Sequence, residues 1–216
     1  MPNELDSFVA DEKYTAGVRA LAARGDVRRY RKGTILIHEG DSGDTLFIVL
    51  SGRVKVFCTD ANDKEITFGV FDAGEYFGEM ALDGGPRSAS VITQQPCVCA
   101  VVTLHTLLAF LTQRPEFARE LLSKVIRRLR LATRDARNLA FIDVYGRLTA
   151  WLQELAKPQA DGTMRITERI THQEIASRVG CSREMVSRIL KDLESGGYVR
   201  IAQRRIELAA KLPQRW

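Results

Sequence analysis

Arg183, Glu184, Ser187, Arg188 and Lys191 stand at spacings that put them on one face of a helix. Their shared chemistry is hydrogen bonding to base edges. Arg bonds bidentately to guanine and a carboxylate accepts from cytosine N4, each good contact supplying about 1–3 kcal/mol of discrimination. A second group lies upstream, between Gly74 and Ala89, where Glu79, Arg87 and Ser88 fall in one polar, turn-rich segment. Two arrangements suit it. One is a structural ion pair between Glu79 and Arg87, which the spacing alone favours. The other is a small-ligand cradle: Arg87 and free N–H groups on a phosphate, Ser88 adding a hydroxyl donor, Glu79 accepting from a sugar hydroxyl.

The elements that must position the first group are legible. Thr171-His-Gln-Glu174 is a capping box, in which the Thr171 hydroxyl accepts from the third helical N–H while Glu174 reaches back. It opens a helix over Thr171–Val179. Gly180 supplies the left-handed residue of a tight turn, and Ser182 caps a second helix running to about Glu194. Val186, Ile189, Leu190 and Leu193 form the apolar stripe of that helix. Two helices around a short Gly-containing turn make a helix-turn-helix. Tyr198–Ile201 and Arg205–Leu208 follow as a two-stranded wing, with Arg200, Arg204 and Arg205 suited to phosphate contact.

The second group sits among short β-like runs at Thr34–His38, Leu46–Leu50, Val54–Cys58, Ile66–Phe71 and Ser90–Ala100, broken by Gly and Asp. Such spacing predicts an antiparallel sandwich or roll. Residues 116–142 then lack Gly and Pro and carry Leu122, Val125, Leu129, Ala132, Ala136 and Leu139 at alternating steps of three and four. That is a narrow seam for a two-helix dimer. Asp143 and Gly146 interrupt it, and a further helix covers residues 144–157. A polar loop containing Pro158 comes next, to Gly162. The fold class is therefore α+β, with an antiparallel β-roll or sandwich domain over residues 1–115, a dimerisation helix and hinge over 116–143, and a winged helix-turn-helix over 144–216.

Charge agrees with this division. The net charge is +5, and residues 146–216 hold 13 Lys and Arg against 8 Asp and Glu, so the whole excess lies in the last third. A basic module behind a neutral one points to a polyanionic partner. No apolar run approaches the roughly 20 residues of a membrane span. The acidic N-terminus lacks the apolar core of a signal peptide. Four cysteines in 216 residues are no disulfide framework, and a reducing cytoplasm is the expected setting. Cys97 and Cys99 share one strand face and read as core, without metal-ligand company. No Ser/His/Asp set or phosphate-binding Walker loop suggests an enzyme.

Three segments resemble the CRP/FNR superfamily of bacterial transcription regulators, in its cyclic AMP receptor branch: residues Gly40–Gly52; Gly78-Glu79 with Pro86-Arg87-Ser88-Ala89; and Asn138–Val144 followed by Val179–Leu190. The likeness spans about residues 25–210. It implies a cyclic-nucleotide site at Gly78, Glu79, Met80, Arg87 and Ser88, with Glu79 on the ribose 2′-hydroxyl and Arg87 and Ser88 on the cyclic phosphate. It implies base reading of a TGTGA-like half-site by Arg183, Glu184 and Arg188, with Thr171, Gln173, Ser182 and Lys191 at the DNA backbone or groove edge. Homodimerisation and contact with RNA polymerase follow from the same likeness. One departure stands out: where the branch has Thr-Ser on the long helix to bond adenine, this chain has Ala132-Thr133. Thr133 remains as the candidate contact. Cyclic AMP, cyclic di-GMP and ligand-independent action stay open as modes of control, as does a cyclic-nucleotide module that leaves DNA alone.

Overall fold

A computed structural model describes residues 3–159, 163–202, 205–209 and 212–213. Its contacts divide the chain into two compact units, residues 1–58 with 67–129, and residues 59–66 with 130–216.

The first unit opens with two helices that the sequence pattern did not announce, α1 (Glu4–Ala10) and α2 (Ala16–Ala22). At seven residues each they are too short to show a helical period. Eight strands follow: β1 (Asp26–Tyr30), β2 (Ile35–Ile37), β3 (Thr45–Ser51), β4 (Arg53–Thr59), β5 (Glu65–Asp72), β6 (Tyr76–Phe77), β7 (Ser90–Thr93) and β8 (Cys97–Thr103). They form two four-stranded sheets, β1-β8-β3-β6 and β2-β7-β4-β5. The run expected over Ser90–Ala100 is two strands in different sheets, because Pro96 lies in the break between them.

β3 and β8 pair antiparallel at the centre of the first sheet, Phe47 opposite Val101 and Ile48 opposite Ala100. Both are covered on both faces, so alternate residues enter different cores. Leu46, Ile48, Leu50, Val98, Ala100 and Val102 pack with Phe8, Leu21, Phe110, Phe117 and Leu121. Phe47, Val49, Cys97, Cys99 and Val101 pack with Ile37, Val54, Phe77 and Val91. Cys97 and Cys99 are thus buried on one strand face in the second cluster.

Two helices continue the chain: α3 (Leu104–Gln113) and the 27-residue α4 (Pro115–Phe141). On α4 only Phe117 and Leu121 are buried, while Leu122, Val125, Ile126, Leu139 and Phe141 stay exposed.

The second unit contains α5 (Val144–Leu155), β9 (Lys157–Pro158), β10 (Met164–Ile166), α6 (His172–Val179), α7 (Arg183–Ser195), β11 (Val199–Ala202) and β12 (Arg205–Leu208). Asp143 caps α5, its carboxylate accepting from the Gly146 N–H at 2.7 Å. The wing is a sheet of four strands in the order β11-β12-β10-β9 rather than an isolated pair. The stretch from Lys157, expected as loop, contributes β9, and β10 joins it to β12, with Ile166 opposite Ile206. A two-stranded ribbon is marginal alone, and the extra strands supply the missing partners. Leu148, Leu152, Ile166, Ile175, Val186, Leu190, Leu193 and Ile206 make the core of this unit. Among the described residues no helix is long and apolar enough to cross a membrane.

Candidate functional site

In the first unit the turn after β6 builds a cradle. Gly78 has φ of 87°, and a side chain there would meet the Thr45 carbonyl oxygen at 2.7 Å and Arg87 Nη1 at 2.8 Å, so only glycine fits. A 3-10 turn over Glu79–Asp83 starts immediately after it. Arg87 is brought alongside by its own backbone: its N–H donates to the Asp41 carbonyl and its carbonyl accepts from the Gly40 N–H, both at 2.8 Å. Its guanidinium donates from Nη1 to the Gly78 carbonyl at 3.0 Å. Nη2 donates to the carbonyl and hydroxyl oxygens of Thr45 at 2.9 and 3.1 Å. The side chain is buried at 8% exposure. Burial lowers its pKa from the ordinary arginine value, and the Asp44 and Glu79 carboxylates oppose that shift. The Ser88 hydroxyl donates to Met80 Sδ at 2.9 Å. Gly78, Glu79, Met80, Arg87 and Ser88 therefore meet in one place.

The ion pair that the spacing favoured is replaced by a different one. Arg87 bonds three oxygens of the cradle wall. Glu79, whose side chain is 10% exposed, instead accepts from Arg128 Nη1 at 2.8 Å. Arg128 also donates from Nη2 to the Tyr76 carbonyl at 2.7 Å and to Glu75 Oε2 at 3.3 Å. Lys124, one turn earlier on α4, reaches the same Glu75 oxygen at 2.7 Å and lies 3.9 Å from the Tyr76 ring centre. Arg128, Glu75 and Lys124 do not stand out as site residues in the sequence. Their signal is only a matched spacing: two cations four residues apart on α4, matching two carboxylates four residues apart at the cradle. Thr133 is exposed on α4 and belongs to the second unit.

In the second unit the helix-turn-helix forms from its caps. Glu174 N–H donates to the Thr171 hydroxyl at 3.2 Å and Thr171 N–H to Glu174 Oε2 at 2.7 Å, completing the capping box. Gly180 turns the chain with φ of 75°, and Ser182 accepts from the Met185 N–H at 3.2 Å. Val186, Ile189, Leu190 and Leu193 are buried. Thr171, Gln173, Ser182, Arg183, Glu184, Arg188 and Lys191 are all exposed. His172 Nδ1 lies 2.8 Å from Ser187 Oγ, which donates to the Arg183 carbonyl at 3.0 Å, so this pair pins α6 to α7 beside the exposed face. Arg188 Nη2 rests against Met185 Sδ at 2.9 Å. Arg200 and Arg205 are exposed on the wing, and Arg204 lies outside the described residues. An exposed row of Arg, Glu and Lys over a rigid apolar back is a surface able to enter a major groove.

Comparison with known proteins agrees with both halves. Residues 27–114 match the family model of a cyclic nucleotide-binding domain, and residues 146–211 that of a Crp-like helix-turn-helix domain. The chain is 40% identical over 216 aligned residues to the cAMP-activated global transcriptional regulator CRP of Haemophilus influenzae, covering 92% of this chain and 94% of that one. It is 33% identical over 176 residues to the CRP-like cAMP-activated global transcriptional regulator of Mycobacterium tuberculosis, covering 80% and 79%. Among solved structures, the c-di-GMP responsive global regulator CLP of Xanthomonas campestris matches with a TM-score of 0.77 at 31% identity, covering 91% of this chain and 100% of that one.

Proposed function

The chain belongs to the CRP/FNR family of DNA-binding transcription regulators with a cyclic nucleotide-binding domain, and on that premise we propose that it is a homodimer switched by cyclic AMP at a palindromic TGTGA-like site. It is a regulator and not an enzyme. The observation that carries the effector reading is the cradle: a carboxylate, Glu79, held beside a buried guanidinium, Arg87, and a hydroxyl, Ser88. Glu79 accepts from the ribose hydroxyl, and Arg87 and Ser88 hold the cyclic phosphate. Gly78 and Met80 complete the wall, and Thr133 is the hydroxyl left for the base where Ala132 has none to offer.

DNA binding rests on Arg183, Glu184 and Arg188 for the bases. Thr171, Gln173, Ser182 and Lys191 serve the backbone and groove edge. The apolar stripe of α4, exposed at Leu122, Val125 and Leu139, has the spacing of a self-complementary seam. Two recognition helices related by a two-fold axis then reach successive major grooves about 34 Å apart. Effector binding shifts a population toward the DNA-competent arrangement; the break between α4 and α5 at Ile142 and Asp143 is the hinge. RNA polymerase in the cytoplasm is the expected protein partner. The likeness to a c-di-GMP responsive regulator and the loss of a hydroxyl at Ala132 support cyclic di-GMP as the second reading of the effector.

Calorimetric titration of the full chain with cyclic AMP and with cyclic di-GMP tests this. The expected result is saturable binding of cyclic AMP that weakens at least tenfold, about 1.4 kcal/mol, in Glu79→Gln. Binding of neither nucleotide overturns the effector reading, and binding of cyclic di-GMP alone replaces it with the second.

A further inference from the structure

The cations of α4 and the carboxylates of the cradle form a four-member chain in the order Lys124, Glu75, Arg128, Glu79. Its geometry is unequal. One oxygen, Glu75 Oε2, takes Lys124 Nζ at 2.7 Å and Arg128 Nη2 only at 3.3 Å. Arg128 makes its short carboxylate contact with Glu79 at 2.8 Å. The shorter claim of Lys124 on Glu75 therefore leaves Arg128 weighted toward Glu79, the group that the proposed function assigns to the ribose hydroxyl. The four side chains run from 10% to 39% exposed, so their charges are only partly screened by water. Both cations are further held against rings, Lys124 on Tyr76 at 3.9 Å and Arg128 on Phe71 at 4.4 Å, which confines them to this short track.

We propose that Lys124 and Glu75 form a latch on the cradle: Glu75 is the alternative seat for Arg128 when a ligand hydroxyl engages Glu79, and Lys124 is a competitor that holds that seat and so weakens effector binding. This rests on the cyclic-nucleotide reading of the cradle. In the arrangement seen here Arg128 caps Glu79. A ribose hydroxyl brings a neutral donor to Glu79, and Arg128 moves its Nη1 off that carboxylate and strengthens its hold on Glu75. The Tyr76 carbonyl, which accepts from Nη2 at 2.7 Å, is the pivot that both positions keep. Burial lowers the Lys124 pKa and the Glu75 carboxylate opposes that shift; Lys124 is the cation nearer to Glu75.

The latch makes the two partners of one ion pair act with opposite sign, which a structural role does not. In Lys124→Met the seat is vacated and a thioether replaces the ammonium on the Tyr76 ring. In Glu75→Gln the seat loses its charge and Arg128 is thrown wholly onto Glu79. Cyclic AMP titrated into the full chain by calorimetry is expected to bind roughly three- to fivefold more tightly to Lys124→Met and weaker by a similar factor to Glu75→Gln, the scale of a partly exposed ion pair. The 2′-deoxy analogue of cyclic AMP cannot engage Glu79, so its affinity is expected to stay within twofold in both variants. Shifts of the same sign, or equal shifts for the two nucleotides, overturn the latch while leaving the cradle reading intact. A wild-type chain that binds no cyclic AMP overturns the cradle reading and the latch with it.

Discussion

Replacing Arg87 with Met separates two roles that one side chain holds. The guanidinium makes three hydrogen bonds to Gly78 and Thr45 at 2.9 to 3.1 Å while the residue is 8% exposed. A hydrogen bond from a charged donor contributes about 1.5–3 kcal/mol when fully buried. Two of the three go to one residue, and Gly78 and Thr45 are themselves half-buried, so the set is worth about 3 kcal/mol rather than the full sum. Met keeps much of the aliphatic stem, which limits the cavity. For a chain of this length, each kcal/mol moves the melting temperature by about 2–4 °C, so a fall of roughly 6–12 °C is expected. Scanning calorimetry without ligand reads this directly. A cyclic AMP titration at a temperature where the variant is folded reads the second role and should show binding weakened by more than tenfold. A melting temperature within 2 °C of the wild type would refute the view that Arg87 is built into the cradle wall before any ligand arrives.

Three other outcomes follow from the same geometry. Arg183→Ala should cost about 1–3 kcal/mol on a TGTGA-containing duplex and little on random DNA; equal losses on both would remove Arg183 from base reading. Leu122→Glu, placed on the exposed stripe of α4, should convert the dimer to monomer in sedimentation equilibrium, and an unchanged dimer would move the interface elsewhere. Burial, and after it the neighbouring Glu39 carboxylate, pushes the Cys58 pKa up to about 12. Its thiolate is therefore scarce at pH 8, and Cys97, Cys99 and Cys181 are buried. Ellman's reagent should react slowly with the native chain and reach all four thiols after guanidinium is added. Rapid stoichiometric labelling of Cys58 at pH 8 would contradict that environment.

What the sequence made legible is what local rules determine. α7 was readable because Ser182 caps it and its four buried residues repeat at helical spacing. The capping box at Thr171 and the left-handed turn at Gly180 are equally local. The unread parts depend on distant partners. β1 carries Asp26, Arg28 and Arg29 and buries nothing fully, so its strand character comes from its pairing with β8. β9 is two residues long and exists through β10. Arg128 is not legible as a site residue because its partner Glu79 is 49 residues away, and no periodicity on α4 distinguishes a cation facing a carboxylate from one facing water. Glu79 stands out by its polar, turn-rich segment, but its counterion was assigned by nearness in sequence rather than in space.

The central claim is that occupancy of the cradle changes the affinity of the helix-turn-helix for its site. Titrating the full chain onto a fluorescent TGTGA-N6-TCACA duplex at fixed salt, without ligand and with saturating cyclic AMP or cyclic di-GMP, tests it most directly. A gain of at least tenfold is expected with cyclic AMP, a coupling of about 1.4 kcal/mol, and it is expected to disappear in Glu79→Gln. Tight binding that ignores both nucleotides would contradict effector control, and failure to bind the duplex under any condition would contradict the site.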